Sequence, residues 1–382
     1  MYQFLRHFLF RLAPETAHQL TLHAVRLAGK FPPSYQLLLQ LYKAPDKPVQ
    51  AFGLTFKNPV GLAAGYDKDG VAVRGLAALG FGHLEVGTVT PMPQPGNPRP
   101  RVFRLVEDEA VINRMGFPGN GSAYMARSLR GRQKRIGLFR SVLGTASKKQ
   151  QPNRPNRPNG IVLGVNIGKN KSTPNEEAVL DYLALLQIFA PLADYLAINI
   201  SSPNTVGLRQ LQGRAALEGL LTQLDIQRRM EEKQLEKRIP LLVKLAPDLS
   251  EQELDDAVDV ILSAHMDGII ATNTTLGREG LASSHREESG GLSGTPLRLR
   301  SEAVLSYLVK QVDGKIPIVG VGGIMNPNDA KKRLDLGATL IQVYTGLVYE
   351  GPGLVRTMVH GLAERLAREG LKSIAEAVGV AA

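Results

Sequence analysis

Short apolar runs recur along this chain, and each ends in small or polar residues. Most of the intervals between them show apolar residues at helical spacing. Buried strands that alternate with helices and end in polar clusters are typical of a (β/α)₈ barrel, an α/β fold whose active site lies at the carboxyl ends of the strands. The eight runs span residues 62–68, 85–88, 165–169, 198–199, 242–244, 270–274, 319–323 and 342–345.

Helical periodicity predicts six helices between or after these runs. Ser250 and Glu253 have the spacing of a capping box, which supports a helix start at residue 251. The predicted helices cover residues 176–190, 217–236, 251–264, 301–312, 327–336 and 352–369.

The first 44 residues predict a small helical unit in front of the barrel domain of residues 45–382. Phe4, Phe8 and Leu12 recur at helical spacing, a second helix is expected from Pro14 to about residue 29, and a third over residues 35–42. The apolar third segment allows two interpretations. It packs against the barrel, or it forms a membrane-facing entrance for a lipid-soluble ligand.

Composition excludes several classes of function. The chain has no cysteine, so disulfides and thiolate metal sites are ruled out, and no His or carboxylate motif has metal-ligand spacing. We therefore expect no metal. No apolar run is long enough to span a bilayer, and the amino terminus does not have the form of a signal peptide.

The net charge of +11 comes almost entirely from one segment. Ten Lys and Arg residues fall between Arg127 and Arg157 with no acidic residue among them, leaving 11 − 10 = +1 for the rest. This distribution argues against a nucleic-acid-binding face. Residues 133–160 have the low complexity of a weakly ordered insertion. Two hypotheses stay open for it, contact with anionic lipid and a solvated loop.

Five motifs occur in an order and spacing that resemble those of the dihydroorotate dehydrogenases, and more closely their membrane-associated, quinone-reducing class. The resemblance covers nearly the whole chain and is interrupted only by the insertion. The motifs are Asn113-Arg114-Met115-Gly116-Phe117, Asn166-Ile167-Gly168-Lys169-Asn170, the Asn199–Asn204 turn, Gly291-Leu292-Ser293-Gly294 and Val321-Gly322-Gly323-Ile324.

The resemblance implies oxidation of (S)-dihydroorotate to orotate in pyrimidine (UMP) synthesis, with one FMN per chain and a membrane quinone as acceptor. It implies that Ser202 removes a proton from the substrate. Taken alone, the residues around Ser202 also suit an ordinary turn. The substrate-binding residues implied are Lys68, Asn113, Arg114, Met115, Gly116, Phe117, Asn199, Asn204, Asn273 and Thr274.

Small-residue turns after the last two strands, at residues 320–323 and 344–346, are where barrel enzymes commonly hold a phosphate. Lys244 ends a buried strand, where it either stabilises a reduced flavin or forms a salt bridge. With the resemblance, the expected flavin-binding residues are Ala64, Gly65, Tyr66, Asp67, Lys68, Thr88, Asn166, Asn199, Lys244, Thr272, Gly294, Gly323, Tyr344 and Thr345.

The same resemblance places His18 and Arg104 at a quinone site. Each also has a purely structural interpretation, His18 as a capped helix residue and Arg104 as a salt bridge at the barrel rim. The expected protein is a monomer that binds lipid peripherally on the cytoplasmic side of the cell membrane. Two competing hypotheses are a different FMN barrel oxidoreductase and an inactive barrel that serves as a scaffold.

Overall fold

A computed structural model describes residues 2–130 and 160–381, and within these ranges eight parallel strands close into a barrel. The barrel strands are β3, β4, β7, β8, β9, β10, β12 and β13, and they follow one another around it in chain order. The strands are β1 (Val49–Ala51), β2 (Leu54–Phe56), β3 (Val60–Leu62), β4 (His83–Val89), β5 (Val102–Leu105), β6 (Ala110–Asn113), β7 (Val162–Ile167), β8 (Tyr195–Asn199), β9 (Leu241–Leu245), β10 (Gly268–Ala271), β11 (Gly291–Gly294), β12 (Ile318–Val321) and β13 (Leu340–Val343).

Helices connect the barrel strands and form its outer layer. Ser250 caps α8 through the capping box expected from the sequence. The α-helices are α1 (Tyr2–Arg11), α2 (Pro14–Lys30), α3 (Pro32–Leu41), α4 (Val73–Ala77), α5 (Gly121–Arg130), α6 (Ala178–Phe189), α7 (Arg214–Leu235), α8 (Glu251–Ser263), α9 (Arg298–Val312), α10 (Pro327–Asp335), α11 (Thr345–Glu350) and α12 (Leu354–Glu369).

The predicted barrel is confirmed, and all eight predicted runs contain or adjoin a barrel strand. Every residue of β7, β8 and β9 is buried. Continuous burial is the rule for parallel strands covered by helices on one side and by the barrel interior on the other. It explains why these strands appear in the sequence as short apolar runs rather than as alternating patterns.

A small antiparallel sheet of β5, β6 and β11 was not predicted. Its strands follow the carboxyl ends of β4 and β10, so the sheet lies at that end of the barrel, and Asn113 of β6 pairs with Gly291 of β11. The Tyr349 hydroxyl of α11 donates to the carbonyls of Leu105 and Ala110 and ties the sheet to the barrel. The β1–β2 hairpin before β3 was also not predicted.

Helices α1, α2 and α3 form the N-terminal helical unit. Close packing of α2 on α4 requires glycine, because a Cβ on Gly75 would lie 2.1 Å from the Val25 carbonyl oxygen. At α1, the Tyr2 hydroxyl donates to the Val348 carbonyl at 2.6 Å. None of the helices in the described ranges is both long and apolar enough to cross a bilayer. The proposed insertion at residues 133–160 lies outside the described residues except for Gly160.

Candidate active site

A cavity of about 420 Å³ lies at the carboxyl end of the barrel. This volume is in the range of roughly 300–1,000 Å³ that is common for small-molecule sites. Ser202 and several asparagines line part of it, and apolar side chains of α1 and α2, such as Leu9 and Val25, line another part. The N-terminal unit therefore forms part of the wall of the same cavity that contains the polar groups.

Asn199, the last residue of β8, is the centre of a hydrogen-bonded group of side chains. Its Nδ2 donates to Thr88 Oγ1 at 2.9 Å and to Asn166 Oδ1 at 3.0 Å. Asn273, after β10, donates to Ser201 Oγ at 3.0 Å and to Asn199 Oδ1 at 3.3 Å. The partners fix the orientation of each amide, so the cavity receives defined donors and acceptors.

The turn after β8 presents Ser202 and Asn204 to the cavity. Asn204 donates through its side chain to Asn113 Oδ1 at 3.1 Å and through its backbone N–H to Ser202 Oγ at 3.2 Å. The Ser202 side chain is buried. The backbone N–H of Asn204 holds Ser202 Oγ in position, and the hydroxyl proton of Ser202 points away from that N–H and can be donated to another group.

Lys68 supplies a cation to the cavity from the loop after β3. Its Nζ donates to the Gly65 carbonyl at 2.5 Å. Burial lowers its pKa to about 8, the negative charge of Glu15 opposes that shift, and the positive charge of Arg101 adds to it. The ammonium is thus mostly charged at neutral pH and is available to an anionic ligand.

Lys244 is a second cation, at the end of β9 and in the cavity wall. Burial lowers its pKa, and the negative charge of Glu85, whose Oε1 lies 3.9 Å from Nζ, opposes the shift. Glu85 also accepts hydrogen bonds from Asn166, Tyr195 and Gln342 at 2.9–3.1 Å. Lys244 therefore pairs with a carboxylate and also lines the cavity, and its role beside a flavin stays a prediction.

Two glycines after β12 give the cavity an exposed stretch of backbone. Gly322 and Gly323 have φ values of 114° and 68°, in the region that favours glycine, and both line the cavity. Tyr344 and Thr345, after β13, lie beside them. Backbone N–H groups at this place in a barrel suit a phosphate. Together with Lys244 and the asparagines, they have the donor chemistry that a flavin nucleotide requires.

His18 and Arg104 lie at the end of the cavity near the N-terminal unit. The His18 ring packs edge-on against Tyr66 with ring centres 4.9 Å apart. Burial, with the nearby charge of Lys68, lowers the pKa of His18 to about 3, so its ring is neutral at physiological pH. Arg104 donates to the Phe10 carbonyl at 3.0 Å and lies 4.1 Å from the centre of the Phe10 ring.

Comparison with known proteins agrees with this geometry. The family model for dihydroorotate dehydrogenase matches residues 48–366. The chain belongs to the dihydroorotate dehydrogenase family. It is 49% identical over 376 residues to the dihydroorotate dehydrogenase (quinone) of Anaeromyxobacter sp. (strain Fw109-5), covering 98% of this chain and 96% of that one.

Two further members of the family extend the comparison. The chain is 47% identical over 382 residues to the dihydroorotate dehydrogenase (quinone) of Roseiflexus sp. (strain RS-1), with 100% of this chain and 98% of that one covered. It is also similar to the crystal structure of DHODH from Eimeria tenella in complex with ferulenol, with a TM-score of 0.81 and 37% identity over 96% of this chain and 95% of that one.

Most residues proposed from the sequence line the cavity. Three do not. Asp67 accepts hydrogen bonds from the backbone of Val71 and Ala72, Arg114 forms a 2.6 Å ion pair with Glu288, and Asn166 lies behind Thr88 and Asn199. The proposed residues that line it are His18, Ala64, Gly65, Tyr66, Lys68, Thr88, Arg104, Asn113, Met115, Gly116, Phe117, Asn199, Ser202, Asn204, Lys244, Thr272, Asn273, Thr274, Gly294, Gly323, Tyr344 and Thr345.

Sequence reasoning missed several residues of the site. Gln342 and Ser293 line the cavity, and Glu85 accepts a hydrogen bond from Gln342 and so helps to hold that side chain in place. Glu85 had a signal in the sequence, because a carboxylate inside a buried apolar run needs a partner. No group of three or more His, Asp or Glu side chains that could hold a metal occurs in residues 2–130 and 160–381.

Proposed function

We propose that this chain oxidises (S)-dihydroorotate to orotate with FMN as its cofactor and a membrane quinone as the electron acceptor, as a step of UMP synthesis. The main support for the proposal is that a single continuous cavity contains both kinds of lining. The cavity joins a polar pocket around Ser202 to the apolar side chains of α1 and α2. A polar substrate and an apolar acceptor thus have separate places along one flat cofactor.

The substrate is a small ring with one carboxylate and several amide groups. In our proposal Lys68 neutralises the carboxylate, and Asn113, Asn199, Asn204 and Asn273 bind the ring amides. The asparagines come from three separate segments, yet Asn113 is bonded to Asn204 and Asn199 to Asn273. Mutual hydrogen bonds of this kind hold the amides ready before the substrate binds, which reduces the cost of ordering them.

FMN, when bound, accepts a hydride from the ring carbon next to the one that loses a proton. Its phosphate would lie at the Gly322–Gly323 turn and Thr345, with Lys244 beside the ring system. Lys244 suits that place because it is buried and its nearest carboxylate is 3.9 Å away. A buried cation at that place would favour negative charge on a neighbouring group.

Ser202 removes the proton from C5 of the substrate in our proposal. The C5–H electron pair then forms the C5–C6 double bond as the hydride leaves C6. A serine hydroxyl of normal pKa is a weak base, so its own proton must pass to an acceptor as the transfer occurs. The backbone N–H of Asn204 holds Ser202 Oγ in place for this transfer.

The quinone enters between the N-terminal helices and meets His18 and Arg104. Neutral His18 and cationic Arg104 offer hydrogen bonds to a quinone oxygen, while the apolar residues of α1 and α2 cover its ring. Phe4, Leu20 and Phe31 expose 73%, 54% and 63% of their surface, which suits a helical unit that rests on a bilayer. We accordingly propose a monomer bound peripherally on the cytoplasmic side of the membrane.

Steady-state turnover tests the proposal. Purified protein should oxidise dihydroorotate with a soluble quinone analogue, and NAD or fumarate should not replace the quinone. Arg104→Met should slow reoxidation by quinone and leave reduction by dihydroorotate unchanged. Arg356→Met is the matched control, because Arg356 also donates to a backbone carbonyl of the N-terminal unit, that of Leu41, but lies outside the cavity.

Truncation gives a second test. Removal of residues 1–44 should abolish quinone reduction, while anaerobic reduction by dihydroorotate survives if the barrel folds. Efficient turnover with NAD or fumarate but not with quinone would contradict the proposal.

A further inference from the structure

Arg333 lies fully buried on α10, directly behind the Gly322–Gly323 turn. Its Nη2 donates to the Gly322 carbonyl at 2.5 Å, to Ser301 Oγ at 2.7 Å and to the Arg298 carbonyl at 3.2 Å. Ser301 Oγ lies within hydrogen-bond distance of the same Gly322 carbonyl, at 3.0 Å, and of the Arg298 carbonyl, at 2.9 Å. Two side chains from outside the cavity therefore anchor one carbonyl of the turn.

The anchored carbonyl determines where the next N–H points. The Gly322 carbonyl and the Gly323 N–H belong to one trans peptide unit, in which the two groups point in opposite directions. Because Arg333 and Ser301 hold the carbonyl on the side away from the cavity, the N–H of Gly323 is directed toward the cavity that Gly323 lines. A rotation of this peptide would turn an acceptor, not a donor, toward a bound phosphate.

The ion pairing of Arg333 does not by itself explain a guanidinium at this position. Arg333 Nε has no hydrogen-bond partner in the described part of the chain, and the Glu302 carboxylate lies 3.8 Å from Nη1. A buried charge that is only partly paired contributes little net stability compared with an apolar residue of similar size. Burial lowers the pKa of Arg333 to about 10, so the group remains cationic at neutral pH.

We infer that Arg333 is a positioning residue for the phosphate of the flavin nucleotide. It fixes the Gly322–Gly323 peptide with its N–H toward the phosphate, and it adds a positive charge behind that peptide. The chain should consequently distinguish FMN from riboflavin, which lacks the phosphate, largely through Arg333. This inference rests on the proposed use of FMN.

The test compares the affinities of the flavin-free, full-length chain for FMN and for riboflavin, measured by quenching of flavin fluorescence. Arg333→Met should lower the preference for FMN over riboflavin by about tenfold or more, the usual effect of losing a hydrogen bond that involves a charged group. Affinity for riboflavin should stay the same. Ser301→Ala should shift the preference in the same direction and serves if Arg333→Met does not fold.

Arg365→Met is the matched control, because Arg365 is also a buried arginine, paired with Asp335 and Glu369, but forms no hydrogen bond with the turn. It should leave the preference for FMN unchanged. If the variants at Arg333 and Ser301 lose affinity for FMN and riboflavin equally, or keep the full preference, the inference is wrong. If the unaltered chain itself shows no preference for FMN, the proposed cofactor is wrong instead.

Discussion

Glu15 of α2 accepts a hydrogen bond from Arg101 at 2.7 Å and thereby joins the N-terminal unit to the loops of the active site. Arg101 also donates to the carbonyl of Asn97 at 2.9 Å, and the Asn97 side chain donates to the carbonyl of Asn204 at 3.1 Å. A continuous series of hydrogen bonds therefore runs from the N-terminal unit to the turn that carries Ser202.

Glu15→Ala should destabilise the protein at neutral pH by about 1.5–3 kcal/mol, because it leaves the buried Arg101 guanidinium without its carboxylate. Burial would raise the pKa of Glu15, but the hydrogen bonds and charges of Arg101 and Arg99 outweigh it and lower the pKa. This stability is thus present above the ordinary glutamate pKa of about 4.3 and is lost as pH falls through the lower folded value.

Denaturant unfolding at pH 7 and near pH 3 measures the effect of Glu15. Arg99→Ala is the control, since Arg99 is 64% exposed and its ion pair with Glu15 should contribute about 0–1 kcal/mol. A Glu15→Ala variant as stable as the parent at pH 7 would show that the pair does not hold the N-terminal unit in place.

Ser202→Ala should slow reduction of the flavin by dihydroorotate by at least about 100-fold, the lower range for loss of a general base. Flavin content and orotate affinity should stay normal, because other side chains, the asparagines among them, are proposed to bind the flavin and the orotate. Ser202→Cys should keep part of the rate, since a thiol can accept the proton. Anaerobic stopped-flow absorbance measures the rate, and near-normal reduction in Ser202→Ala would remove Ser202 from the chemistry.

Lys68 should make orotate binding depend on pH. Its pKa of about 8 means that the free enzyme loses this positive charge as pH rises through 8, whereas an ordinary lysine keeps it to about 10.4. The Kd for orotate should be constant below about pH 7 and rise above pH 8. Titration of the flavin spectrum with orotate from pH 6.5 to 9.5 measures it.

Two lysine variants show whether Lys68 causes that pH dependence. Lys68→Met should bind orotate weakly at every pH and show no rise tied to pH 8. Lys169→Met should behave as the parent, because Lys169 donates to the Thr173 carbonyl and does not line the cavity. A parent profile that is flat to pH 9.5 would mean that Lys68 does not bind the carboxylate.

Glu85→Ala should cost about 3–5 kcal/mol of stability, because it leaves the buried cation of Lys244 without its partner. It also removes the acceptor used by Asn166, Tyr195 and Gln342. Glu85→Gln keeps an acceptor of the same shape and should cost less. Equilibrium unfolding in urea distinguishes the two variants, and a loss below 1 kcal/mol for Glu85→Ala would show that Lys244 does not depend on Glu85.

The barrel was predictable because its strands are buried on both faces and end in polar clusters. The run at Tyr195–Asn199 shows both properties, and the structure places it as β8 with every residue buried. The sheet of β5, β6 and β11 was not predictable in this way. Its pairing of Asn113 with Gly291 joins residues that are far apart in the chain, and no alternating pattern in the sequence indicated which segments would pair.

The site was predicted mainly through motifs, and the proposed residues whose side chains do not line the cavity have a physical explanation. Asp67 and Arg114 sit within motifs that line the cavity, but the Asp67 carboxylate bonds to the backbone just before α4 and the Arg114 guanidinium pairs with Glu288. A motif indicates which segment reaches the cavity, whereas the direction of each side chain depends on its partners. Arg333 is the opposite case, a residue outside the motifs that contacts the site. No local sequence pattern indicates that an arginine of α10 bonds to the Gly322–Gly323 turn.

In the proposed reaction, one flavin receives electrons from dihydroorotate and passes them to a quinone. One experiment mixes the flavin-loaded protein with dihydroorotate in the absence of oxygen and follows the visible absorbance of the oxidised flavin. Dihydroorotate should bleach the flavin, and a quinone analogue added afterwards should restore the oxidised spectrum. A flavin that dihydroorotate does not bleach, or that NAD or fumarate reoxidises and quinone does not, would rule out this reaction.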